Sequence, residues 1–167
     1  MTTSSTTRLV AAVVAQLALV AVAVWAPLAA RATGEEVRLR VQVVDTYEPF
    51  ADAYVEVAYP DLPRQPGASA EDEAYWSDPA RGAAYVPLTQ QGQVWVGGEV
   101  VRTPPASGRY LACDDSDWRL RCGIETVYLA TSAPEAVRDA LRTGDAVATV
   151  KVDASGHAAL IGVDVAP

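Results

Sequence analysis

Groups that carry out catalysis are scarce in this sequence. Among 167 residues there is one histidine, His157, and one lysine, Lys151. His157 follows Gly156 at a predicted turn, where we expect an exposed residue at a strand end, so no Ser-His-Asp triad can be built around it. Lys151 lies in a predicted strand and is expected on its solvated face, with a Ser-Lys dyad using Ser116 or Ser155 as the alternative. The scarcity favours a non-catalytic protein.

Positive charge is also in short supply. The chain carries 13 basic and 21 acidic residues, a net charge of -8, and from Thr33 onward 11 basic residues face 21 acidic ones, a net charge of -10. A surface this acidic repels phosphate backbones and anionic headgroups. The composition therefore argues against a nucleic-acid partner and against peripheral adhesion to anionic lipid.

The chain has only two cysteines, Cys113 and Cys122. An even pair this close, in an oxidising compartment, predicts a disulfide that contributes about 2 to 3 kcal/mol. Two cysteines and one histidine do not supply the four ligands of a zinc site, and we expect no cofactor. Between the cysteines, Asp114, Asp115 and Asp117 are expected to form a solvated acidic tip, with a calcium site as the alternative because calcium prefers oxygen ligands.

One long apolar run stands at the N-terminus. Leu9 to Ala30 comprises 22 residues without a formal charge, and a helix of that length rises about 33 Å, enough for a hydrocarbon core about 30 Å thick. We expect residues 1–8 in the cytoplasm, a single-pass transmembrane anchor or uncleaved signal over 9–30, and an extracytoplasmic domain over 33–167, because Glu35 and Glu36 follow the run. A signal cleaved near Ala30-Arg31-Ala32 is the alternative and predicts a secreted protein.

The remaining sequence alternates apolar and polar residues in short runs, the period-two signature of half-buried strands. Val37 to Val43 is the clearest example. Strands over 109–113 and 122–129 are expected to form a hairpin that the disulfide clamps, and a short helix is expected after a capping box of Ser132 and Glu135, with Gly144 ending it. Residues 60–82 are rich in proline, glycine and acids and predict a long loop. The fold class is mainly β, a small barrel or sandwich of about seven strands with one short helix.

Two short motifs resemble those of a known family. Within a degenerate motif over Asp52–Tyr59, the residues Tyr54, Val57 and Tyr59 resemble a Tyr-x-x-Leu-x-Tyr pattern, and Cys122–Tyr128 is similar to a Tyr-Gly-Ile-Glu signature followed by aromatics. Both patterns resemble the GDYXXLXY family of bacterial membrane-anchored proteins, and residues 148–163 resemble its last hairpin. The resemblance implies an anchored outer domain, sometimes associated with multi-spanning membrane proteins, and it supplies no reaction.

Several aromatic residues and one carboxylate lie on or beside the predicted strands. We expect the aromatics to pack in the core or in hairpins and the carboxylate to pair with an arginine across strands, but any that share an open groove form a recognition surface. The candidate binding residues are Tyr54, Tyr59, Trp118, Glu125 and Tyr128. We therefore predict a binding or support module for another membrane or envelope protein. The alternatives are a Ser-Lys type hydrolase at the outer membrane face and a calcium-dependent binding module.

Overall fold

A computed structural model describes residues 5–44, 54–63, 81–116, 119–129 and 133–166. Within the first helix, the side chains at positions 5, 6, 23, 26 and 27 are not described. Most of the predicted loop over 60–82 lies outside the described residues, as do Asp117, Trp118 and Ser132.

The chain begins with a 29-residue helix, α1, over Ser5–Thr33. Its Leu and Val side chains are exposed along most of its length, whereas Ala30 in the last turn is fully buried. The amide of Gly34 donates to the Ala30 carbonyl at 2.8 Å, and the first strand starts at the next residue. None of the helices in the described residues is both long enough and apolar enough to cross a membrane.

After α1, the described residues form eight strands and one short helix. In chain order these are β1 (Glu35–Val43), β2 (Tyr54–Ala58), β3 (Ala83–Gln91), β4 (Val94–Gly97), β5 (Arg109–Asp114), β6 (Thr126–Tyr128), α2 (Glu135–Thr143), β7 (Ala146–Val152) and β8 (Ala158–Val165). The strands form two antiparallel sheets, one of order β6-β2-β1-β7-β8 and one of order β4-β3-β5. The predicted mainly β fold with one short helix is confirmed.

Strand β1 is the centre of the larger sheet. Val37, Leu39 and Val41 are fully buried, while Arg38 and Arg40 between them are exposed. One edge of β1 pairs with β7 over seven residues, and its far end pairs with β2. The period-two pattern of the sequence therefore places one face of β1 in the core, as predicted.

The two sheets share one core and are joined on both sides, which gives a nearly closed, barrel-like shape. On one side, the Gly97 amide at the end of β4 donates to the Asp61 carbonyl just after β2, at 2.9 Å. On the other, the Ala112 amide of β5 donates to the Gly156 carbonyl in the β7–β8 turn, at 2.8 Å. Gly156 has a φ of 80°, and a Cβ there would lie 2.6 Å from the Tyr110 ring, so this junction requires glycine.

The predicted disulfide is present. Cys113 and Cys122 are joined at 2.05 Å, and beside them Asp114 and Arg121 exchange two backbone hydrogen bonds of 2.7 and 2.8 Å. The predicted hairpin is wrong beyond this bridge, because β6 pairs with β2 in the other sheet. Gly123, with a φ of 80°, turns the chain away from β5. The disulfide therefore lies where the chain crosses from one sheet to the other.

Helix α2 follows β6 in the chain and packs against β1, β7 and β8. Its residues Ala140 and Leu141 are buried, and Gly144 ends it in the left-handed conformation, as predicted. The predicted capping box is wrong in register. The N-cap position is Pro134, which makes no side-chain hydrogen bond. Glu135 is therefore the first residue of the helix, whereas a capping box needs it to be the third.

Candidate functional site

The two edge strands of the larger sheet face each other across a cleft. The cleft has a volume of about 630 Å³, within the usual range for ligand-binding pockets. Its walls are β6 with Tyr54 of β2 on one side and residues 158–163 of β8 on the other, and Arg31 of α1 also lines it. The cleft exists because the curled sheet brings its first and last strands close without pairing them.

Tyr54 and Tyr128 form an aromatic pair at this cleft. They lie directly opposite each other in the β2–β6 ladder, and their ring centroids are 5.3 Å apart at an interplanar angle of 60°. Tyr54 is 68% exposed and Tyr128 is 60% exposed. Two of the predicted binding residues are therefore brought together as a solvent-facing aromatic surface, the type of side chain that protein interfaces favour.

Tyr59 lies beneath this surface and supports it. Its side chain is buried, and its hydroxyl donates to the Ile124 carbonyl at 2.7 Å. Burial, with a smaller contribution from the negative charge of Glu125, raises the pKa of Tyr59 well above its usual range. The phenol therefore stays protonated and serves as a donor that ties the end of β2 to the turn before β6.

Glu125 holds the same turn from the other side. Its carboxylate accepts the backbone amides of Cys122 and Gly123, the latter at 3.0 Å. The sequence predicted pairing with an arginine across strands. In the structure the turn presents two amides that no strand satisfies, and the carboxylate accepts both. Gly123 itself lines the cleft, so Glu125 fixes part of the cleft wall.

Of the predicted solvated acidic tip, Asp117 lies outside the described residues, and the prediction is wrong for Asp115. Asp115 is buried, and its carboxylate accepts from Arg102, at 2.9 Å, and from the Gly82 amide, at 2.8 Å. Burial acts to raise the pKa of Asp115, but the bonds from Arg102 and Gly82 outweigh it and hold the pKa below its ordinary value. Asp114 is exposed and accepts from the amide and hydroxyl of Ser116, which lower its pKa. Among the described residues, no group of three potential metal ligands is found.

His157 is part of the β7–β8 turn, and Lys151 contacts the end of α1. Lys151 donates its ammonium to the Arg31 carbonyl at 3.1 Å, at the C-terminal end of α1. The Asp153 carboxylate accepts the amides of Ser155, at 2.8 Å, and His157, at 3.0 Å, and lies 3.2 Å from the His157 ring. Asp153 thus organises the β7–β8 turn, and Lys151 fixes the position of α1.

Apart from Tyr54 and Tyr128, the residues that line the cleft were not predicted as site residues; the ones that matter most here are Arg31, Ile161 and Gly162. In the sequence, Arg31 stands out only as a charge that flanks the apolar run. Its place in the cleft arises from the packing of α1 against the sheet, which the sequence pattern does not show. A signal for the other two is present. The alternation of β8 is broken at Leu160-Ile161, and the β7–β8 ladder shifts register between Thr149 and Val150, where Ile161 lies outside the paired positions.

Removing the Tyr59 hydroxyl tests its supporting role. Tyr59→Phe keeps the buried ring but leaves the Ile124 carbonyl without its donor, and we expect a loss of about 1 to 2 kcal/mol in the free energy of unfolding. Tyr54→Phe is the matched control, because that side chain is exposed. Urea denaturation followed by tryptophan fluorescence measures both. Equal stability of the two variants would contradict the role assigned to Tyr59.

The Asp115 ion pair predicts a dependence of stability on pH. Because its pKa in the folded protein lies below the ordinary value, folding favours the ionised carboxylate, and this contribution is complete above about pH 4 and is lost as the pH falls through the folded-state pKa. Asp115→Asn should lower stability at neutral pH by about 1 to 3 kcal/mol. It should also make the melting temperature fall less steeply on acidification. If the melting temperature of the variant depends on pH in the same way as that of the wild type, this assignment is refuted.

Comparison with known proteins identifies a family and nothing finer. No curated protein and no solved structure matches the chain. The family described as GDYXXLXY protein matches over residues 16–163. The match extends from the second half of α1 to β8 and includes both motifs that meet at the Tyr59–Ile124 contact. This chain therefore belongs to the GDYXXLXY family.

Proposed function

We propose that the protein is a non-catalytic binding module, held at a membrane by α1, whose outer domain binds another membrane or envelope protein. The observation that carries the proposal is the position of the cleft. An exposed tyrosine pair, Tyr54 and Tyr128, lies in the same cleft as Arg31 at the end of the exposed apolar helix. A cleft at the end of α1 is positioned to contact a protein that lies next to this helix.

The exposure of α1 supports a membrane attachment. Between Leu9 and Leu28, eleven large apolar side chains are 44% to 75% exposed. Full burial of a Val or Leu side chain is worth about 1.5 to 3 kcal/mol, so a helix this apolar is stable only when lipid or protein covers it. The charges at the two ends of the run favour an arrangement with the domain on the outer side of the membrane.

The junction between α1 and the domain supports an uncleaved helix. Ala30 is fully buried, Lys151 donates to the Arg31 carbonyl, and a Cβ at Gly34 would lie 2.3 Å from the Ala30 carbonyl oxygen. The predicted cleavage sequence thus lies in a helical turn packed against β7, whereas proteases prefer exposed and poorly ordered chain. A rigid junction also fixes the direction in which the cleft faces.

Extraction and intact-mass measurement test the attachment. We expect the protein to stay in the membrane fraction after carbonate treatment and to retain the mass of the chain with α1. A soluble mature chain that starts near Thr33 would convert the anchored module into a secreted one and remove this part of the proposal.

Partner recovery tests the role of the cleft. Chemical cross-linking in intact cells, followed by affinity purification of the wild-type chain, should give one membrane or envelope protein in stoichiometric amount. Because interface tyrosines often contribute 2 kcal/mol or more, about thirtyfold in affinity, replacing both Tyr54 and Tyr128 by Ala should abolish most of the recovery.

The matched control is Val44→Ala, which alters an exposed apolar residue outside the cleft and should leave recovery unchanged. Undiminished recovery with the tyrosine double variant would place the interface elsewhere. Repeated failure of the wild-type chain to recover any membrane or envelope protein would contradict the proposed function.

A further inference from the structure

Both walls of the cleft are edges of one sheet. In the described residues, β6 and β8 are the end strands of the order β6-β2-β1-β7-β8, so each has one side without a strand neighbour. An edge strand carries backbone N–H and C=O groups that a further strand can pair with. The cleft therefore offers hydrogen-bonding groups of the main chain in addition to its side chains.

Five of the fourteen residues that line the cleft are glycine or alanine, whose side chains cover little of the main chain. They are Gly123, Ala133, Ala158, Ala159 and Gly162. A Cβ built on Gly162 meets no atom within 4 Å, so the space in front of this strand position is open. Side chains too short to cover the main chain are what an incoming strand requires at close approach.

The shifted register between Thr149 and Val150 limits how long the added strand can be. It leaves Ile161 outside the ladder, 48% exposed and directed to the cleft. A bulge in an edge strand prevents continuous pairing along its whole length. The added strand is accordingly short. Ile161 on one side of the cleft and the Tyr54–Tyr128 pair on the other are the contacts for its alternate side chains.

The charge of the cleft differs from that of the domain. The region from Thr33 onward has a net charge of -10, yet the residues that line the cleft include Arg31 and no carboxylate. A lone guanidinium in this setting pairs well with a single carboxylate, whereas an anionic membrane surface is repelled by the domain as a whole. The complementary occupant is an otherwise uncharged chain that brings one acidic residue to Arg31.

We propose that the β6–β8 cleft binds an extended, mostly uncharged segment of a partner protein as an added β-strand, with one acidic side chain against Arg31. This inference rests on the proposed function and specifies how the partner is recognised. Main-chain pairing would supply affinity, and the tyrosine pair with Ile161 would supply selectivity for alternate side chains.

Site-specific photo-cross-linking in intact cells tests the geometry. The photoreactive residue benzoylphenylalanine replaces Ile161 or Tyr128 in the full chain, and Thr89, exposed in β3 of the other sheet, is the control position. Mass spectrometry maps the attachment points. We expect both cleft positions to attach within one short segment of the same partner protein and the Thr89 position to give no such product.

Two substitutions report whether the product depends on the open strand edge and on Arg31. Gly162→Val fills the cleft entrance without meeting another atom at Cβ and should reduce the cross-link at least tenfold, equivalent to about 1.4 kcal/mol. Gly98→Val, outside the cleft, should leave it unchanged. Arg31→Gln should reduce the product, and Arg31→Lys should preserve most of it. A circular dichroism spectrum confirms that each variant is folded.

The alternatives give distinct results. Attachment to phospholipid, or to a second copy of this chain, would overturn the proposal, as would products that Gly162→Val and Arg31→Gln both leave intact. If the chemical cross-linking described above recovers a partner but the cleft positions do not attach to it, the strand proposal fails and the proposed function stands. If neither method finds a partner, both fail.

Discussion

The pairing of β1 with β7 is the constraint on which the rest of the molecule depends. Seven consecutive residue pairs join these strands, and the buried face of β1 forms the middle of the core. Because β1 starts directly after Gly34, the same pairing fixes the end of α1 beside Val152. The sheet extends from this pair in both directions and curls, so its edges meet at the cleft.

The motif residues divide into two physical roles. Tyr59 and Glu125 act inside the molecule, where one donates to the Ile124 carbonyl and the other accepts two backbone amides of the same turn. Tyr54 and Tyr128 act at the surface, where their tilted rings contact each other across the β2–β6 ladder. The buried contacts hold β6 in register with β2, and the register sets the exposed pair. A short sequence pattern thus specifies both a surface and its support.

Local features of the sequence predicted much of the fold. Alternation located β1, glycine located the end of α2, and the spacing of Cys113 and Cys122 predicted their disulfide. The pairing of β6 with β2 was not predictable in this way, because the partner of a strand is decided by contacts between residues far apart in sequence. Adjacent strands in the chain suggested a hairpin, and Gly123 and Ile124 redirect the chain instead.

The candidate site was predictable in its aromatic residues but not as a cleft. Tyr54 and Tyr128 stand out by residue type and position in strands. Arg31 and Ile161 enter the site through the docking of α1 and through a bulge, and both depend on tertiary packing. Local patterns carry information on which face of a strand is buried, and much less on which edges of a sheet come close together.

Hydrogen–deuterium exchange on the protein in its native membrane, compared with the purified protein, tests the central claim most directly. If the β6–β8 cleft is occupied by a partner strand, the backbone amides of residues 126–128 and 158–163 should exchange more slowly in the membrane. The amides of β3 and β4 should exchange equally in the two samples. Equal exchange of the cleft strands in both samples would contradict the account.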